Sequence, residues 1–102
     1  MNPTNATFNN QTGTTYTLQA SDNGLIVTCD NGSGITVTIP SGLGIGFNTM
    51  VIQLGAGQVS FTTSSTTLNN RSSQTKIAGQ WGVATLVATT TDVFVLAGDT
   101  GA

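Results

Sequence analysis

Apolar residues in this chain come in short runs, and each run is stopped by Gly, Asn, Asp or Pro before a helix could form around it. The clearest is Ile35-Thr36-Val37-Thr38-Ile39, where the three aliphatic residues point one way and the two threonines the other. Pro40 ends it, because proline cannot donate to a ladder. Thr14 to Leu18 also alternates, with Tyr16 and Leu18 on one face. Leu25 to Cys29, Met50 to Leu54, Val59 to Thr63, Lys76 to Ala78, Val83 to Ala88 and Val93 to Ala97 read as further strands. Turn signals separate them: Asp22-Asn23-Gly24, Asp30-Asn31-Gly32-Ser33-Gly34 and Gly55-Ala56-Gly57, residues that tolerate positive φ. Met50 to Leu54 and Val59 to Thr63 look like the two arms of a hairpin.

No stretch of roughly ten residues carries the apolar period of an amphipathic helix. The pattern predicts an all-β fold, a single-domain antiparallel β-sandwich, jelly-roll-like, over residues 14–102. A short polar N-terminal arm, residues 1–13, precedes it, with Met1, Pro3 and Phe8 as its larger apolar groups. No repeat of fixed period stands out, no linker divides the chain, and 102 residues is the length of one domain.

Composition restricts what such a domain does. Four Asp, one Arg and one Lys are its only charged side chains, and it has no Glu and no His. That is 6% charged, where roughly a quarter is usual. General acid–base catalysis, charge clamps and most metal sites need groups that are scarce here, so the expectation is a protein that is not an enzyme and uses no cofactor. Two positive charges make no basic patch for phosphates, which argues against nucleic acid as a partner. No run approaches the roughly 18 apolar residues of a membrane span, and the start lacks the basic and apolar regions of a signal peptide. Synthesis in the cytoplasm without export is the expectation. Cys29, alone in the chain, lies in an apolar run without a neighbouring base, which predicts a buried, inert thiol.

Several motifs have both a chemical and a plain reading. Gly42-Leu43-Gly44-Ile45-Gly46 follows a strand but lacks the helix and cation of a phosphate loop. Its apolar residues Leu43 and Ile45, with Phe47, form a patch suited to a partner if they do not all turn inward. Asp22 and Asp30 fall in turn-forming clusters, and no spacing selects a carboxylate pair for glycoside hydrolysis. Asp30 to Gly34 matches too little of a calcium loop. Trp81, between Gly79-Gln80 and Gly82, is a core plug, an intersubunit anchor or a platform for sugar rings.

An ordered set of segments carries a resemblance. Tyr16-Thr17-Leu18, Asp22-Asn23-Gly24-Leu25-Ile26-Val27 and Ile35 to Pro40 are followed by Ile52-Gln53-Leu54-Gly55-Ala56-Gly57-Gln58-Val59-Ser60-Phe61. Ala78-Gly79-Gln80-Trp81, Ala84-Thr85-Leu86-Val87 and Leu96-Ala97-Gly98-Asp99 complete it. Over residues 14–99 the set resembles a β-module of tailed-phage virion proteins: capsid decoration (cement) proteins and the distal domains of tailspikes and tail fibres. The resemblance implies a β-sandwich assembled as a homotrimer, without catalytic residues. With only a short arm before it, it implies a cement protein on the outer capsid surface, partnered by the major capsid protein. The alternative it leaves is a receptor- or glycan-binding tip that recognises host cell-surface glycan. The candidate subunit or capsid contacts are Pro3, Phe8, Leu43, Ile45, Phe47 and Trp81.

Overall fold

The computed structural model describes residues 7–102, which form one all-β domain with a radius of gyration of 12.8 Å. Its strands are β1 (Phe8–Gln11), β2 (Thr15–Thr17), β3 (Ile26–Cys29), β4 (Ile35–Pro40), β5 (Asn48–Gln53), β6 (Val59–Ser64), β7 (Thr67–Asn70), β8 (Lys76–Ile77), β9 (Val83–Thr90), β10 (Val93–Gly98) and β11 (Thr100–Gly101). A single 3-10 turn, Ala20–Asp22, is the only helical piece among the described residues. Two sheets result, in the orders β1-β3-β5-β9-β10-β7 and β11-β8-β6-β4-β2.

The strands from β1 to β6 alternate between the two sheets, so the first half of the chain winds as a coil. Phe8 stacks beside Ile26 and Ile26 beside Met50 in one sheet, steps of 18 and 24 residues. Thr15 stacks beside Thr36 in the other, a step of 21. These steps differ, which is why no fixed period shows in the sequence. From β8 onward the chain closes both sheets with antiparallel neighbours: β9 on β5, β10 on β9, β8 on β6 and β11 on β8.

The antiparallel, jelly-roll-like expectation is therefore corrected to a mixed, solenoid-like pair of sheets. β1, β3 and β5 are mutually parallel, as are β2, β4 and β6, and β7 pairs parallel with β10. Alternation reports which residues of a strand share a face but not the direction of its neighbour. The expected hairpin fails for the same reason: β5 and β6 lie in different sheets, and residues 54–58 carry the chain from one to the other. Phe8 to Gln11, read as part of a polar arm, forms β1 on the edge of the larger sheet.

One core fills the space between the sheets. The larger sheet contributes Val27, Val51, Leu86, Phe94 and Leu96, and the smaller Ile35, Val37, Ile39, Val59 and Ile77. Burying each such side chain stabilises the fold by about 1.5–3 kcal/mol. Gln53 lies among them, 1% exposed. Its Nε2 donates to the Gly55 carbonyl and its Oε1 accepts from the Val59 amide, so it holds the β5–β6 crossing in place.

At the N-terminal end of the coil the interior turns polar. Asp22 is 1% exposed. Its carboxylate accepts from Tyr16 Oη at 2.6 Å, Asn9 Nδ2 at 2.7 Å and the Gln19 amide at 2.9 Å. Gln11 Nε2 in turn donates to Asn9 Oδ1. Edge strands of a stacked β-fold, here β1 and β2, favour a polar finish. This network supplies one, and every member is hydrogen-bonded.

Burial, then the bond to Asp22, pushes the Tyr16 phenol from 10.0 up to about 12. Burial pushes the Cys29 thiol from 9.0 up to about 11. Both groups hold their protons more tightly folded than unfolded, so their contribution is complete below pH 9. Stability should then fall as pH rises, first through the Cys29 window of 9 to 11 and then the Tyr16 window of 10 to 12. Urea midpoints measured from pH 8 to pH 12 check this: a flat profile over that range contradicts it. Native Cys29, 1% exposed, should also resist iodoacetamide at pH 8 and react only after unfolding.

Candidate functional site

The two outer faces of the molecule differ in chemistry. On the smaller sheet the outward residues are polar: Thr15, Thr36, Ser60 and Lys76 lie in one row, and Thr17, Thr38 and Thr62 in the next. That face suits water. On the larger sheet Phe8, Ile26, Met50, Thr85 and Ala97 form one continuous row from β1 to β10. Val87 and Val95 pair beside it in a second row, and Ile52 and Val83 in a third. Asn and Thr complete these rows, and no charged residue belongs to them. Phe8 is 63% exposed, and Met50 and Val95 are each 38% exposed.

The residues singled out in the sequence separate in the structure. Phe8 stands on the outer face of the edge strand β1. Ile45 is 69% exposed at the tip of the loop after β4. Glycines 42, 44 and 46 give that loop its shape, all at φ between +84° and +93°, where other side chains are strained. The loop is pinned by the Gly46 amide on the Ala88 carbonyl and the Gly42 amide on Asp92 Oδ1. Leu43 turns inward against the core. Phe47 is corrected from contact residue to core residue: it is 3% exposed and meets Phe94 edge to face at 6.4 Å. Pro3 lies outside the described residues.

Trp81 is 67% exposed, so it is not a plug of this chain's own core. It lies in the turn between β8 and β9 with φ +72°, a costly conformation for a bulky residue. Its amide donates to the Gln53 carbonyl at 2.7 Å, and the Gly82 amide donates to the Gly79 carbonyl, so the turn holds the indole outside. Strain of about 1–3 kcal/mol persists only where the surroundings impose it, and such positions cluster at binding sites. Trp81→Gly should therefore change the unfolding free energy by less than about 1 kcal/mol, against 3–5 kcal/mol for a buried Trp. Chemical denaturation measures the difference, and a loss in the core range would return Trp81 to the interior.

Three of the four carboxylates serve the backbone. Asp92 accepts from the Gly42 amide and Asp99 Oδ2 from the Val83 amide, while Asp22 belongs to the network above. Among the described residues no three His, Cys, Asp or Glu side chains come together as a metal site, and no helix is long and apolar enough to cross a membrane. Two clefts, about 470 and 290 Å³, adjoin at Ser72 and are lined largely by polar residues, including Lys76 and Arg71.

The sequence reading missed the outer face of the larger sheet, although a signal was there. Met50-Val51-Ile52 and Val93-Phe94-Val95-Leu96 are apolar in both phases of the strand alternation, which means two apolar faces. No protein-family model, curated protein or solved structure matches the chain.

Proposed function

We propose that this chain is a non-enzymatic structural protein of a tailed-phage virion, a capsid decoration protein. On this reading it sits on the outer shell as a homotrimer, contacts the major capsid protein and stabilises the head. Its ordered segments from Tyr16 to Asp99 resemble the virion module. The observation that carries the reading further is the surface: Phe8, Ile45 and Trp81 stand outside a core that is closed without them. A rigid scaffold that presents uncharged apolar groups is suited to binding other proteins in crowded copies.

Antibody against the chain, applied to intact virions from lysates of cells that carry its gene, tests the proposal. Label distributed over the head shell is expected; label confined to tails, or none, overturns it. Deleting residues 1–13 is a poor probe, because it removes β1 with its pairing to β3.

One observation favours a second reading, a receptor- or glycan-binding tip of a tail fibre or tailspike. Trp81 is held exposed in a strained turn, as an aromatic platform for a sugar ring would be. Tail labelling, together with loss of cell adsorption in folded Trp81→Gly, would select it.

A further inference from the structure

We infer that the outer face of the larger sheet is the surface through which copies of this chain associate, packed against the same face of one other copy or of two others about a common axis. The inference rests on the proposed virion role only for the number of copies; the face itself is read from the structure. In two facing sheets the outer surfaces meet water, and the smaller sheet is built for that with its rows of Thr and Ser. The larger sheet places Phe8, Ile26 and Met50 in one row and Val87 and Val95 in the next. A patch of this kind marks an interaction surface.

Charge and area identify the occupant as another copy. The rows themselves hold no ionisable group; Asp99 borders the third row at Val83, where its carboxylate accepts from the Val83 amide. The body of the face therefore meets its own duplicate without like-charge repulsion. A partner recognised by charge has nothing to pair with here. Six strands about 4.8 Å apart and three alternate residues about 6.7 Å apart span roughly 500–600 Å² in plan. Side-chain relief adds to this, and a stable interface takes about 800 Å² from each partner. The whole face is therefore needed, its largely apolar row from Phe8 to Ala97 together with the uncharged Asn and Thr positions beside it.

Sedimentation equilibrium of the purified chain at micromolar concentration tests the inference. The wild type should show a mass of two or three times 10.3 kDa. Met50→Lys and Val95→Lys, which set like charges opposite one another, should each weaken association about a hundredfold or more and sediment at the single-chain mass. Thr38→Lys, on the hydroxyl face, should leave it unchanged. Circular dichroism establishes that the variants are folded. If they are not, hydrogen peroxide on the wild type decides: Met50 should be protected in the oligomer and oxidised on dilution.

A wild type of single-chain mass overturns the inference. So do folded Met50→Lys and Val95→Lys that stay associated, or Met50 oxidation that is independent of concentration. Two copies or three support the face, and three is what the virion reading requires. An oligomer that fails to label the head shell removes the cement reading and leaves this interface standing.

Discussion

Gly57→Ala should destabilise the domain by about 3 kcal/mol or more, one of the largest losses available to a single added methyl group. A Cβ at Gly57 would lie 1.9 Å from the Ser33 carbonyl oxygen and 2.7 Å from that of Asn31. These atoms are backbone, so no side chain can turn aside. The Gly57 amide already donates to the Asn31 carbonyl at 2.8 Å, which fixes successive coils against one another. Relief requires moving the 54–58 crossing off the 30–34 crossing, and with it the start of β6. Gly32→Ala, in the neighbouring crossing, meets nothing within 4 Å and should change stability by less than about 0.5 kcal/mol. Thermal unfolding compares the pair: a drop of roughly 12 °C or more is expected for Gly57→Ala and little for Gly32→Ala. Equal transitions would show that the two coils are not in contact there.

Phe94→Ala should cost about 3–5 kcal/mol, a large share of the stability of a domain this size. Phe94 is 1% exposed on β10, and its ring meets Phe47 with planes 75° apart. That pair joins the strand to the base of the glycine-rich loop, which Gly46 and Phe47 also tie to Ala88 through the backbone. Phe47→Leu and Phe94→Leu keep most of the buried volume, so a double-mutant cycle on them should remain in a folded background. The cycle should give a coupling of about 0.5–1.5 kcal/mol for the edge-to-face pair. Zero coupling in urea denaturation would reduce the contact to simple burial.

These two sites also show where sequence reading stops. Gly57 is legible as a turn residue, but its close approach to Ser33 depends on coils that pair 24 residues apart. Phe47 reads as one of three loop residues facing a partner, yet it belongs to the core while Ile45 two residues earlier does not. The loop's three left-handed glycines set which way each intervening residue points, and their φ values are a product of the folded loop. Asp22 reads as a turn carboxylate; that it also binds Tyr16 and Asn9 follows from β1 folding over the coil end.

Strand against helix, the positions of the turns and the alternation within each strand are local properties, and the sequence alone determines them. It determines more than that. Ile35 to Ile39 is apolar in one phase, whereas Met50 to Ile52 and Val93 to Leu96 are apolar in both. One-sided and two-sided strands are thus separable before any fold is known. The tertiary structure decided which strands become neighbours. It brought the two-sided β5 and β10 into one sheet and the one-sided β4 into the other, so scattered second phases became a single largely apolar face. That step depends on pairing between residues far apart in the chain, which burial of the shared core selects and local sequence does not encode.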